Sequence, residues 1–325
     1  MRTSSSIFTP IQIGRMTVKN RIECAPYGNA LFRMDGSVGN KQMMHLRNLF
    51  RGGVGMVTIG SANCNLDYGP APVPYMHNPF LLGEYKNIVE LAHQYDVKIG
   101  WELIGAKEMF LPAEVLVNTY TKEDIHNYQK GIIEGAVNAL NIGSDYVMIH
   151  GGHGVVAAAF YRESTNHRSD EYGGSFENRI RIMTEILEGI RDKVGDKLTI
   201  EYRLSGEEMQ EGGLTLEDQI KFAQAIEDKV DLFNISRGVL ELNEDFPYVF
   251  PSVYDSHMIN VDNAGKFKAA LKTPVSVVGG NNMFVAEQII DSEKADLVAM
   301  VRPLIADPYC VEKYRSGKEN EIRPC

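Results

Sequence analysis

Cysteine is scarce in this chain of 325 residues: there are four, Cys24, Cys64, Cys310 and Cys325, and no C-x-x-C pair among them. Neither a disulfide framework nor a complete metal site is encoded by that spacing. Long apolar runs are missing as well. The amino-terminal MRTSSSIFTPIQIG has no continuous apolar core of a leader peptide, and no later stretch is long and apolar enough to span a bilayer. A cytoplasmic protein with no membrane contact is expected. Positive charge is not in excess: the formal net charge is -10 and the sequence pI is near 5.4. With no Lys/Arg run either, nucleic acid is excluded as a natural partner. No low-complexity linker and no repeat longer than a strand–helix unit divides the chain, so residues 1–325 read as one domain.

What is present is a core. Hydrophobic residues make up 44% and charged residues 23% of a 36.3 kDa chain, a composition that folds and a length that single α/β barrels commonly reach. Short β-branched runs alternate with longer amphipathic ones, giving strands over Arg21–Pro26, Val54–Ala62, Lys98–Ile104, Asp145–His150, Leu198–Ser205, Asp231–Gly238, Pro274–Gly280 and Leu297–Pro303. Eight such pairs predict an α/β (β/α)8 TIM barrel. Thr121 before Lys122-Glu123-Asp124, and Thr215 with Asp218 three residues on, mark helix starts, where a hydroxyl caps free N–H groups and acids favour the positive helix end. The Pro-rich piece Gly69–Pro74 reads as a loop after strand two.

Loop lengths locate a site. The segments Gly105–Tyr120, Gly151–Gly174 and Val239–His257, after strands three, four and six, are long and rich in aromatic and polar residues. In a closed barrel they ring the carboxyl ends of the strands, where such barrels place their ligands. At that edge the run Tyr146-Val147-Met148-Ile149 ends in His150-Gly151-Gly152-His153. The two histidines admit three readings: metal ligands, which lack an assignable third partner; core histidines that satisfy backbone groups; or neutral donors facing a pocket.

Asn20-Arg21-Ile22 followed by Ala25-Pro26, Gly52-Gly53-Val54-Gly55, His150-Gly151-Gly152-His153-Gly154, Asn166-x-Arg168-x-Asp170-x-Tyr172-Gly173-Gly174-Ser175-x-Glu177-Asn178-Arg179 and Ala295-Asp296-Leu297-Val298-Ala299-Met300 resemble the old yellow enzyme family of FMN-dependent reductases. The pattern is most similar to the 2-enoate and 2,4-dienoyl-CoA reductase branch, and it covers nearly the whole chain. The resemblance implies an FMN-dependent oxidoreductase that takes electrons from NAD(P)H and delivers hydride to the C=C of an α,β-unsaturated carbonyl or carboxylate compound. It also implies how the cofactor is held: the phosphate by backbone N–H groups of Gly279, Gly280 and Asn281 with Arg302 as fixed charge, and the ring near Ala25, Pro26, Tyr27, Gly28, Glu102 and Val301. A tight turn is the plain alternative for the two glycines.

Arg203, inside the apolar strand Thr199–Ser205, fits the cation that a flavin wants where negative charge develops. The plain alternative is an ion pair with Glu201 or Glu102. His150 and His153 then hold the substrate oxygen. The run from Arg168 to Arg179 is read as structural, its charges paired among themselves and Ser175 capping the next helix.

Four positions depart from the family pattern. Val155 stands where many relatives carry a proton-donating tyrosine, which leaves Tyr27, Tyr161, a tyrosine of the Val239–Tyr254 loop, or water as the source. Glu102 replaces a glutamine, and an ionised carboxylate only accepts hydrogen bonds; unless protonated or paired with Lys107 or Arg203, it depresses the flavin potential. Val301 replaces a glycine whose backbone alone matters. Gly28 stands where Thr or Cys tunes the ring in some relatives.

Larger relatives in this branch run on from Arg-Pro-Cys into a 4Fe-4S cluster and an FAD domain. Cys325 is the first such cysteine, a cluster ligand only if the chain is longer. With one thiolate there and no G-x-G-x-x-G, neither iron–sulfur nor FAD is expected in these 325 residues, nor any metal. Rival readings are an amine dehydrogenase or demethylase on the same barrel, a flavin-free aldolase or isomerase, and a non-catalytic flavin- or ligand-binding barrel. The partner is a small unsaturated molecule; a homo-oligomer stays open.

Overall fold

The computed structural model describes residues 5–65, 70–105, 112–240, 246–252 and 254–325. Eight parallel strands close a barrel in the order β3 (Ile22–Cys24), β4 (Met56–Asn63), β5 (Lys98–Ile104), β6 (Tyr146–His150), β7 (Thr199–Ser205), β8 (Leu232–Ser236), β9 (Val275–Val278) and β10 (Leu297–Met300), with β10 pairing back onto β3. This is the expected TIM barrel. β5 has the expected bounds, and the other strands are shorter than the sequence runs suggest, β3 by three residues, because Ala25-Pro26 bends away and proline has no N–H to continue a ladder.

One element escaped the sequence reading. Before the barrel, β1 (Ile11–Ile13) and β2 (Met16–Val18) form an antiparallel hairpin turned at Gly14, whose φ is +53°. Its alternating Ile11, Ile13, Met16 and Val18 are a period-two signal too short to separate from coil. Ile13, Met16 and Val18 pack on Met56, Tyr146, Leu232 and Leu297, the first residues of alternate strands β4, β6, β8 and β10. The hairpin thereby covers the amino-terminal end of the barrel with one of the four-residue layers typical of the fold.

The same end is tied by a recurring carboxylate. Asp145, Asp231 and Asp296 precede β6, β8 and β10, and each accepts an N–H from the first two residues of the preceding strand: Ile99 at 2.9 Å, Ile200 at 2.8 Å and Val275 at 2.9 Å. Lys98, Arg191 and Lys268 neutralise them.

Around the strands run α1 (Asn40–Arg51), α2 (Leu82–His93), α3 (Ala113–Thr119), α4 (Lys122–Asn141), α5 (Val156–Tyr161), α6 (Phe176–Val194), α7 (Leu216–Ile226), α8 (Phe246–Val249), α9 (Val261–Ala270), α10 (Met283–Asp291), α11 (Arg302–Ala306) and α12 (Cys310–Arg315). Thr121 and Thr215 form the reciprocal capping boxes that their sequence context predicts, with Asp124 and Asp218. Ser175 caps α6 through Asn178, and Arg168 pairs with Asp170, so that conspicuous run is indeed scaffold. Among the described residues no helix is long and apolar enough to cross a membrane.

Candidate functional site at the barrel mouth

Strand period two decides what enters the barrel. In β7, Tyr202 faces outward onto Phe222 of α7, so Glu201, Arg203 and Ser205 point inward. Arg203 is 8% exposed and its Nε has no hydrogen-bond partner. His150 is its register neighbour on β6. Arg203 is therefore a buried cation with an open donor at the carboxyl end of the strands. The plain alternative, an ion pair with Glu201 or Glu102, is not realised within 4 Å among the described residues, although Glu23 and Glu201 lie close enough for its charge to lower both carboxyls.

His150 Nδ1 lies 3.4 Å from Glu102 Oε1 without hydrogen-bond geometry. His153 stands at φ +58°, its ring 5.1 Å from that of His150. Its N–H donates to Ser205 Oγ at 2.9 Å, and its Nε2 lies 2.7 Å from Ser236 Oγ at the end of β8. Burial drives both imidazoles below the usual histidine range; the Arg203 charge pushes the same way, and Glu102 partly offsets it at His150. Both rings are neutral at pH 7, and each then carries one N–H and one lone pair. Among the described residues no group of three or more His, Cys, Asp and Glu side chains is arranged to hold a metal.

Glu102 is 5% exposed and accepts from Ser61 Oγ at 2.8 Å. Gly60 separates it from Pro26: a Cβ there would come within 2.5 Å of Pro26 and 2.7 Å of Glu102 Oε2. Gly60 and Ser61 shape this corner, and nothing in their sequence context marks them. Lys107, named as a possible partner for Glu102, falls outside the described residues.

After β3, Ala25 donates to Met300 O at 3.3 Å, which joins the loop to β10. Gly28 faces open space. Tyr27 turns its hydroxyl to His45 Nε2 on α1, and burial drives the phenol well above its usual pKa.

The turn after β9 carries two adjacent glycines at positive φ. Gly279 (φ +130°) and Gly280 (φ +65°) both lie where side chains are disfavoured. A Cβ on Gly279 would meet Asn260 Nδ2 at 2.4 Å, whereas one on Gly280 meets nothing closer than 3.4 Å. Asn281 uses its amide to bind Val277 O and Ala299 O, which locks the loop between β9 and β10. Val301 precedes α11, and Arg302, first residue of that helix, is exposed.

Residues 104–321 match the family described as NADH:flavin oxidoreductase / NADH oxidase. The chain belongs to that family. Within the NADH:flavin oxidoreductases, the NADH oxidase of Thermoanaerobacter brockii is 30% identical over 344 residues, covering 98% of this chain and 52% of that protein. The cinnamate reductase of Clostridium sporogenes is 27% identical, covering 98% and 54%. The structure of a 2-naphthoyl-CoA reductase with 2-naphthoyl-CoA superposes with a TM-score of 0.89 at 26% identity, over 100% of this chain and 54% of that one. The chain thus spans about half the length of each. The old yellow enzyme resemblance read from the motifs is the family found.

Proposed function

We propose that this NADH:flavin oxidoreductase chain binds FMN at the barrel mouth and reduces the C=C of an α,β-unsaturated carbonyl or carboxylate compound, with NAD(P)H as electron source. The observation that carries the reading is a neutral imidazole pair, His150 and His153, beside a buried guanidinium with an unmet donor, Arg203, at the carboxyl ends of β6 and β7. That combination matches a site that receives negative charge. Cinnamate reductase and 2-naphthoyl-CoA reductase, among its relatives, carry names of the same substrate class.

The residues fit the cofactor. Gly279, Gly280 and Asn281 would give backbone N–H groups to its phosphate and Arg302 a fixed charge, and Gly280 has no neighbour closer than 3.4 Å to a Cβ position. Ala25, Pro26, Tyr27, Gly28, Glu102 and Val301 would border the ring, and Arg203 would offer the cation. Bound there, FMN supplies two-electron hydride chemistry.

The protein's own part is to orient and polarise. Ser236 and Glu102 each face one nitrogen of a histidine ring, so His153 Nδ1 and His150 Nε2 are left for a substrate oxygen. Neutral rings donate without transferring a full charge, which suits an oxygen that gains negative charge as hydride arrives at the β-carbon. Val155 has no proton to give. Tyr27 holds His45 and Tyr161 holds Asp218 O, which leaves solvent entering the mouth or a tyrosine of the Val239–Tyr254 loop as the proposed source for the α-carbon, and Tyr27→Phe is expected to keep most of the rate.

The test is colour. The purified protein should be yellow, bleach under anaerobic NAD(P)H or photoreduction, and regain colour on adding a cinnamate-type acid, ester or thioester. Protein that binds no flavin, or whose oxidised flavin is bleached by a tertiary amine as the amine is dealkylated while the unsaturated compounds leave the reduced flavin bleached, replaces this reading with one of its rivals.

A further inference from the structure

The interior layer above the hairpin-covered floor is chemically unusual. In closed barrels the inward positions of alternate strands are filled mainly by branched apolar side chains. Here the odd strands β3, β5, β7 and β9 contribute Glu23, Gly100, Glu201 and Ser276. Glu23, Glu201 and Ser276 are each 0% exposed. Carboxyls are almost never fully buried without a paired cation, and among the described residues neither glutamate has an ion-pair partner within 4 Å.

Their partners are neutral. Ser276 Oγ donates to Glu23 Oε2 at 2.6 Å. One Asn234 amide, on β8, reaches both oxygens of Glu23 at 3.2 Å and Glu201 Oε1 at 3.0 Å. A single NH2 group thus straddles two carboxyls, which holds them side by side. Glu201 Oε2, Asn234 Oδ1 and Arg203 Nε remain without partners. Besides Arg203, the titratable groups close enough to feel the pair are Tyr146 of β6, whose hydroxyl is bound to Thr58 of β4, and Cys24, which points outward from β3; both are neutral. Two negative charges would therefore face one cation.

The geometry points to Glu23 and Glu201 as a proton-sharing carboxyl pair that carries one net negative charge and serves as the buried counter-ion and positioning element of Arg203. Two like charges in one dry site do not both ionise. Burial raises both carboxyls above the usual glutamate range, and the charge of either opposes ionisation of the other, so the pair holds one proton between them. The guanidinium two residues along β7 is then held by a charge of one rather than two, and a site that must stabilise added negative charge keeps most of its positive potential. That last consequence rests on the flavin reading; the shared proton does not.

Infrared spectroscopy separates the two. The C=O stretch of an unionised, D2O-shifted carboxylic acid should be present in the parent protein at neutral pH, with or without flavin, and should vanish in both Glu23→Gln and Glu201→Gln, since the remaining carboxyl then ionises beside Arg203. In the flavin-loaded protein, each single variant keeps one negative charge and so keeps the midpoint potential near the parent value, while Glu23→Gln with Glu201→Gln raises it. No such band in the parent, or a band that survives in both single variants, overturns the shared proton. Single variants that shift the potential as far as the double variant overturn the counter-ion role. A protein that binds no flavin at all but shows the band leaves the pair standing and removes the cofactor reading instead. If the variants fail to fold, the parent band at neutral pH decides by its presence or absence.

Discussion

Adding one methyl group at each of two adjacent glycines should separate folding from cofactor binding. Gly279→Ala places a Cβ 2.4 Å from Asn260 Nδ2 and 3.1 Å from Ile259 Cγ2, on a backbone at φ +130°. Asn260 cannot yield freely, because its amide donates to Val278 O at 2.6 Å at the end of β9. The strained backbone costs about 1–3 kcal/mol and the broken buried hydrogen bond about 1–3 kcal/mol more, so the flavin-free protein should lose roughly 2–6 kcal/mol. Gly280→Ala is different. Its φ of +65° lies in the left-handed region and its Cβ meets only Ser256 O at 3.4 Å, a cost of about 1–2 kcal/mol. The methyl group nevertheless joins the turn whose N–H groups are proposed for the phosphate. A hydrogen bond to a charged group contributes about 1.5–3 kcal/mol, so FMN should bind roughly 10- to 100-fold more weakly. Denaturation of the flavin-free proteins gives the first quantity, and quenching of FMN fluorescence on titration gives the second. Gly280→Ala that binds FMN as tightly as the parent would show that this turn does not meet the phosphate, whatever its shape.

Arg203→Ala removes the buried cation and should either release FMN or slow flavin reduction by ~100- to 1000-fold, the usual effect of losing one preorganised charge-stabilising donor; unchanged flavin content and unchanged rate would take it out of the site. Glu102→Gln keeps the shape beside Ser61 and His150 while removing the chance of negative charge, so the flavin potential should rise by on the order of tens of millivolts, since ~30 mV corresponds to ~1.4 kcal/mol for two electrons; a potential that does not move means the carboxyl is neutral or shielded. The lowered histidines make a signed pH prediction. The unfolded chain binds protons near 6.5 while buried His150 and His153 resist them, so stability is full above about pH 6.5 and declines as pH falls below it. Urea midpoints at pH 5.5 and 7.5 should differ less in a His150→Asn, His153→Asn variant than in the parent, and an equal difference in both would mean that other groups govern the acid limb.

The barrel was legible because its signals are local. Eight apolar runs, short entering turns and two Thr capping boxes are each contained in a few residues, and long-range packing had only to agree with them. The site was legible where residue type alone constrains the chemistry: an arginine in an apolar strand and two histidines at a strand end. What stayed hidden depends on closure. Glu23 sits in Arg21-Ile22-Glu23-Cys24 and reads as any polar residue of a short strand, and only the pairing of β10 with β3 brings it to Ser276 and Glu201. Ser236 and Ser205 gain their meaning in the same way, by facing His153 from two other strands. Tyr27 was suggested by the resemblance of Pro26-Tyr27-Gly28-Asn29, and the sequence did not show that its hydroxyl turns to His45.

The small hairpin of Ile11–Val18 has an effect far from its own location. With Ile13, Met16 and Val18 stoppering one end, the interior meets bulk water from the opposite end, the doorway at the carboxyl ends of the strands. Whatever sits in that doorway also governs how protons reach the two glutamates behind it, and counter-ions cannot approach from beneath to screen their charge. A few apolar residues outside the barrel therefore make its inside a better electrical insulator.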